Sequence, residues 1–336
     1  MDFVTIAAAQ NQDIDLDQQA QASPHKFQRR LLATDTEVMH YQATPNGTWK
    51  IYLLASLLHN VVRWYHLALG HCGISRLLGT LRMHFHHPQL SHVCSEEVSK
   101  CDPCQRLKNC GRGHGGTAGR EAPLLPWQDV AVDLIGPWTI TIGETKQKFS
   151  ALTMIDTVIN LVEVVRISNK TAAHVALQFE NTWLSRYPRP MSVTHDQGGE
   201  FCGFAFQHKL HTLGITSKTT TSKNPQSNAI CERMHQTIGN ILRVLSTMDP
   251  PYGVENALQL VDAAIAEAVY ATRCTLHSAL GTTPGALAFH RDMILNIPLV
   301  ADLQQVQRRR QQLIDHRLIK ANTKDFLTIT KSETKS

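Results

Sequence analysis

Two histidines and two cysteines, His66-x4-His71 and Cys101-Asp-Pro-Cys104, stand at spacings that suit one tetrahedral metal ion. Zn2+ takes four nitrogen or sulfur ligands, and two Cys with two His close such a shell as a structural site. A Cys-x-x-Cys turns both thiolates inward across one tight turn, and the order His-His-Cys-Cys reverses that of the common zinc finger. A single Cys-x-x-Cys carries little weight, but the surroundings add to it. Five of the eight Cys and eight of the eighteen His fall from His59 to His114. The chain opens on a polar, acidic stretch (NQDIDLDQQAQ) rather than a basic and then apolar one. No secretory signal is therefore expected, and disulfides explain the cluster poorly. Metal binding is the better explanation. Cys72, His84, His86, His87, His92, Cys94, Cys110 and His114 stay open as alternative ligands. A module of about 50 residues has little core of its own, so a bound metal would supply much of its folding energy.

The rest of the chain divides around this module. Residues 1–50 are rich in Gln and Asp without a lasting period, which predicts a poorly ordered lead-in. Residues 51–110 read as short helices around the Cys/His set, beginning with a helical pattern over 51–70. The Gly-rich run CGRGHGGTAGREAP predicts a linker at 111–124. From 125 to 298 the texture changes. DVAVDLIGPW and FSALTMIDTVINLVEVVRI read as strands, and MSVTHD and ITSKTTT as shorter ones. TAAHVALQFENTWLSRYP, FAFQHKLHTLG, SNAICERMHQTIGNILRVLS and VENALQLVDAAIAEAVYATRC read as helices. Strands first, then alternating helix and strand, predict an α/β domain with a mixed sheet flanked by helices. Residues 299–336 read as a basic helical tail. No run of about 18 apolar residues occurs, so no membrane span is expected.

Charge is uneven along the chain. The net of +5 combines +5 in residues 61–120 and +5 in residues 305–336 with a mildly acidic remainder. Basic flanks suit a nucleic-acid partner, whose phosphates exchange counterions for Lys and Arg, but ordinary solvated cations would give the same count.

Three acids stand where chemistry is expected. Asp133 lies in the apolar strand VAVDLIG, Asp196 ends the short strand before QGGEF, and Glu232 lies on the helix after NPQSN, with thirty-five residues between the last two. An Asp inside an apolar strand is costly unless it is paired or binds a metal. Three converging carboxylates repel one another and call for a divalent cation, and all-oxygen ligation suits Mg2+ or Mn2+. Asp156 and Glu200 sit in similar settings and compete for the same assignment.

Together these residues resemble a retroviral-type integrase, that of Ty3/gypsy-like LTR retrotransposons. The resemblance runs from about 55 to 320. It is carried by WYHLALGHCGISRLLGTL with CDPCQRLK, by VAVDLIGPW, THDQGGEF and NPQSNAICERMHQTIGNILR, and by HSALGTTPGALAFHRD. It implies an RNase H-like catalytic core behind a small all-α zinc-binding domain. His66, His71, Cys101 and Cys104 would hold structural zinc, and Asp133, Asp196 and Glu232 would hold catalytic Mg2+ or Mn2+. The implied reaction is DNA integration: processing of a 3′ end of the element's cDNA, then strand transfer of that 3′-hydroxyl into target DNA. Asn224, Gln226 and Arg233 would contact DNA or brace the metal ligands, and Lys223, with Lys218 and Arg243, would meet phosphate. The resemblance also implies a homo-oligomer working on paired DNA ends in the nucleus. Only 38 residues follow Pro298, too few for the β-rich C-terminal domain usual in the family. That favours a truncated copy. The competing expectation is a catalytically silent or co-opted integrase acting as a DNA-binding or assembly protein.

Overall fold

The structure, a computed structural model, describes residues 3–32, 36–107, 125–142, 144–219, 235–236, 238–244, 247–248, 250–295, 297–299 and 302–316. Two sheets organise it, and each packs helices according to its own pattern of apolar residues.

The N-terminal stretch corrects the expectation of a poorly ordered lead-in. Helices α1 (Phe3–Gln12) and α2 (Ile14–Ala22) lead into strands β1 (Phe27–Leu31), β2 (Glu37–Tyr41) and β3 (Lys50–Tyr52). With β4 (Phe85–His86) they form a sheet in the order β1-β2-β3-β4. Local chemistry starts α2: the Asp13 side chain accepts from the Leu16 amide at 2.8 Å, and Asp15 and Asp17 favour the positive helix start. No clean period marks α1 because one of its three buried positions is polar. Ile6 and Ala7 enter the core beside Gln10. That amide donates to the carbonyls of Met39 (3.2 Å) and Tyr52 (2.7 Å) and accepts from the Met39 amide (2.6 Å), tying α1 to β2 and β3.

Lys50–Tyr52 pairs with both β2 and β4, so the helical pattern read over 51–70 is a strand first. Helix α3 (Ala55–Ala68) then buries Leu58, Val61, Val62, Tyr65 and His66, one stripe of a 3.6-residue period. Helices α4 (Ile74–His84), α5 (Leu90–Lys100) and α6 (Asp102–Leu107) follow. Leu77 and Leu81 of α4 and Leu90, Val93 and Val98 of α5 close a core with α3.

The second sheet has β5 (Asp129–Ile142), β6 (Thr145–Asp156), β7 (Val162–Ile167), β8 (Ser192–His195) and β9 (Thr216–Thr219) in the order β7-β6-β5-β8-β9. The pairs β5–β6 and β6–β7 are antiparallel, and β8 and β9 run parallel on the other side of β5. This is the RNase H-like, mixed α/β arrangement. Alternation along β5 separates two cores. Val130 and Val132 pack with helices α7 (Ala172–Phe179), α8 (Gly199–Cys202) and α9 (Phe204–Thr212). Ala131 and Ile135 pack on the opposite face with Ile238, Ile241 and helix α10 (Val254–Cys274). Helix α7 continues as a π-helical turn, Glu180–Leu184, and Gly214 closes α9 at φ +62°.

The zinc-binding region and the core touch. Cys274 joins the core of α3–α5, with Met293, Ile294 and Leu295 packed against it. The Thr80 hydroxyl accepts from the Leu276 amide at 2.9 Å. Helix α11 (Pro284–Phe289) and the helical residues 303–316 cover the far end, where Val306 packs with Val158, Ile159, Leu280 and Leu287. No helix among the described residues is long and apolar enough to cross a membrane.

Candidate metal centres

Helix α3 delivers His66, fully buried, on its last turn. The chain then reverses through two left-handed residues, Gly70 (φ +58°) and His71 (φ +57°). The His71 amide donates to the His66 carbonyl at 2.8 Å, which brings the second imidazole back over the first. A Cβ at position 70 would also lie 2.8 Å from Cδ1 of Ile241, so that side chain would have to shift to admit one. Cys101 caps α5 and Cys104 lies on α6.

The four ligand atoms lie within 4.8 Å of one another. His71 Nδ1 is 3.2 Å from Cys101 Sγ, His66 Nε2 is 3.4 Å from Cys104 Sγ, and His71 Nδ1 is 3.8 Å from Cys104 Sγ. Zinc bonds to sulfur and nitrogen make a tetrahedron with edges of about 3.3–3.8 Å, so these separations fit one Zn2+. The alternative ligands have other employment. Cys72 and Cys94 belong to the apolar core, and burial pushes the Cys94 thiol up to about 11. His84 pairs with Asp292, and His86 stacks on Tyr41 with ring centroids 4.1 Å apart. His92 is exposed, and Cys110 and His114 lie outside the described residues.

The acids form a second locus. Asp133 lies on β5 with its side chain 13% exposed, on the strand face shared by Ala131 and Ile135. That face is covered by the helical residues 238–244. His235 Nε2 approaches Asp133 Oδ2 to 3.9 Å. Burial drives the His235 imidazole down to about 4, so this is a contact with a neutral ring and not an ion pair. Asp196 follows β8 directly and is exposed. The parallel pairing runs Asp129↔Ser192, Val130↔Val193, Ala131↔Thr194. Asp133 lies two residues beyond the last paired residue of β5, Ala131, and Asp196 two beyond its partner Thr194, just past the end of β8. An Asx turn shapes the loop, with Asp196 Oδ1 accepting from the Gly198 amide at 3.0 Å. The Glu200 carboxylate stands beside it: a Cβ on Gly198 would lie 3.0 Å from an oxygen of each acid.

Asp156, the look-alike in the next apolar run, has a structural task. Its buried carboxylate accepts from the amides of Trp127 (2.6 Å), Val158 (2.7 Å) and Ile159 (2.8 Å). Burial raises its pKa, and these amides and the nearby Arg310 partly offset the rise. Lys218 Nζ is 3.6 Å from Asp129 Oδ1, and the Arg243 guanidinium donates to Asn240 Oδ1 at 3.0 Å. Glu232, Asn224, Gln226, Arg233 and Lys223 lie outside the described residues. The sequence reading passed over His195, the buried residue preceding Asp196, whose only signal was its place beside a candidate ligand.

Comparison with known proteins agrees with this picture. Residues 55–110 match the family described as integrase zinc binding domain. The chain is 26% identical over 180 residues to the retrovirus-related Pol polyprotein from transposon 412 of Drosophila melanogaster, covering 54% of this chain and 14% of that protein. It is 29% identical over 181 residues to the Gag-Pol polyprotein of Koala retrovirus, covering 53% of this chain and 10% of that protein. The matched stretch is thus a small part of either relative. A crystal structure of the catalytic core domain of BIV integrase superposes with a TM-score of 0.37 and 23% identity, covering 48% of this chain and 93% of that one. Residues 55–110 thus match the integrase zinc binding domain family, and about half of the chain is similar in sequence to part of retrotransposon and retroviral Pol polyproteins.

Proposed function

We propose that the chain carries out DNA integration, processing a cDNA 3′ end and transferring it into target DNA. The observation that supports this reading is the parallel pairing of β5 with β8, on which Asp133 and Asp196 each follow the last pair, Ala131↔Thr194, by two residues. The face of β5 that carries Asp133 is packed against the helical residues 238–244, which follow Glu232 in the chain. Carboxylates gathered at one locus suit a hard cation with oxygen ligands. Asp133, Asp196 and Glu232 would hold Mg2+ or Mn2+. When bound, such ions supply an activated water or 3′-hydroxyl and a stabilised leaving oxygen on the phosphodiester. The chain's own part is positional: β5 carries Asp133, Asp196 follows β8 directly, and the Gly198 amide holds Asp196 Oδ1 in an Asx turn.

The partners in this reading are DNA ends and target DNA, approached by a homo-oligomer in the nucleus. Asn224, Gln226, Arg233 and Lys223 would contact DNA beside the acids. Zinc would hold the fold of the N-terminal module without entering the chemistry. The test compares strand transfer by the full chain and by Glu232→Gln, in Mn2+, with pre-processed duplex ends. Joining by the parent and none by the variant is expected. Inactivity of both, with zinc bound and the fold intact, would favour a DNA-binding or assembly protein instead.

A further inference from the structure

We propose that His195 is a positioning residue for Asp196, donating from Nδ1 to the Asp196 carbonyl and braced at Nε2 by Ser217, which Gln207 orients in turn. The inference rests on the reading of Asp196 as a metal ligand and assigns a task to groups that reading leaves unused.

The argument begins with two carbonyls, which can only accept. The Asp196 carbonyl lies 2.6 Å from His195 Nδ1, so that nitrogen carries a hydrogen. The Phe201 carbonyl lies 2.7 Å from Gln207 Nε2, which fixes the orientation of the Gln207 amide. The second hydrogen of that amide points to Ser217 Oγ at 3.1 Å. Ser217 Oγ in turn lies 2.8 Å from His195 Nε2. With Nδ1 protonated, a neutral ring accepts at Nε2, and the Ser217 hydroxyl supplies the hydrogen. Donors and acceptors then run in one direction, from Gln207 through Ser217 and His195 to the backbone of Asp196. The ring itself is packed in place. His195 is 1% exposed, between Phe201 (centroids 5.5 Å apart) and Phe206 (6.1 Å, edge-on).

The consequence is a backbone anchor on an exposed acid. Asp196 lies just past the end of β8. His195 holds its carbonyl from inside the sheet, while the Gly198 amide holds the side chain from the loop. Groups that orient a metal ligand without touching the metal affect affinity by about 10–100-fold.

The experiment uses the full zinc-loaded chain. Nitrogen-15 spectra of the His195 ring report the tautomer, and Mn2+ titration followed by water-proton relaxation reports metal affinity. The expected results are an Nδ1–H tautomer and Mn2+ binding weakened about tenfold in His195→Phe, which keeps a ring but no donor. His195→Asn places an amide hydrogen where Nδ1–H was and is expected to restore much of the binding, which a mere packing role would not do. Ser217→Ala leaves the ring in place, and it is expected to erode the tautomer preference and weaken Mn2+ binding less than His195→Phe. An Nε2–H tautomer in the parent, or Mn2+ binding by His195→Phe and Ser217→Ala equal to that of the parent, overturns the proposal. Asp196→Asn separates the two readings. Weak binding there with normal binding in His195→Phe sinks only the positioning role. Unchanged binding in Asp196→Asn removes the metal assignment and the proposal with it.

Discussion

His84 Nε2 and Asp292 Oδ2 meet at 2.9 Å across 208 residues of chain, each side chain less than a tenth exposed. The pair links the last turn of α4 to the segment after α11, and so the zinc-binding region to the core. Asp292 also accepts at Oδ1 from the amides of Ile294 (2.9 Å) and Leu295 (2.6 Å). Burial alone would raise the pKa of Asp292. The His84 bond and charge and the two amides outweigh burial and hold it below the usual carboxylate range.

Breaking this pair is expected to be expensive. Asp292→Ala strands a buried imidazole and should cost about 3 kcal/mol in chemical denaturation. The pH dependence follows from the lowered pKa. The stabilisation is present above the unfolded-state value and disappears as pH falls through the lower folded-state value. The parent should therefore lose stability on acidification below the ordinary carboxylate range, and the Asp292→Ala variant should lack that slope. Equal slopes in the two proteins would show that the pair is not a stabilising link.

Asp156 should give the opposite sign. Its folded-state pKa is raised, so the folded state favours the protonated form and this residue's contribution falls as pH rises through the raised value. Asp156→Asn keeps an oxygen for the Val158 and Ile159 amides but turns an NH2 toward the Trp127 amide. A loss of about 1–2 kcal/mol is expected, with more in Asp156→Ala. Mn2+ affinity should not move in Asp156→Asn, and a drop there in a folded sample would return Asp156 to the metal site.

Zinc removal should act on the first sheet and helices before the second sheet. Structural zinc supplies about 10 kcal/mol or more to small modules. A strong chelator, or Cys104→Ser in zinc-replete buffer, is expected to expose amides of α3, α5 and α6 to hydrogen exchange while β5 and β6 stay protected. The contact of Gly70 with Ile241 predicts a second effect, faster exchange in residues 238–244. Unchanged protection of α3 after complete zinc loss would contradict the assignment.

The helix at 303–316 is expected to depend on one side chain. Arg310, 9% exposed, donates to the carbonyls of Val158 and Thr157, the latter at 2.8 Å. Arg310→Ala leaves both acceptors without that donor and should cost about 2 kcal/mol. Limited proteolysis should then cut within 303–316 in the variant and spare it in the parent. An identical digestion pattern would mean that Val306 and its apolar neighbours suffice.

Much of the core was legible in local pattern. The reading VENALQLVDAAIAEAVYATRC coincides with α10, because Ala257, Val261, Ala264 and Ala268 repeat on one buried face. The zinc ligands were legible because a tight turn and a helix end dictate short spacings. The N-terminal sheet was not. Its strands are two to five residues long, its edge strand β1 is mostly exposed, and its helix α1 is anchored by a buried glutamine. Such elements owe their existence to partners far along the chain and leave little period of their own.

Sequence alone determined the Cys/His set, the apolar strands and the acids within them, since each depends on chemistry within a few residues. Tertiary structure alone separated Asp133 from Asp156. Both are acids in apolar strands, but Asp133 lies within β5 on a helix-covered face, while Asp156 ends β6 and accepts from the amides of Trp127, Val158 and Ile159. It alone also joined His84 to Asp292 and placed His195 behind Asp196. These are relations between segments that meet only when the sheets close, and the cost of burying a charge or an imidazole is decided by what that closure brings beside it.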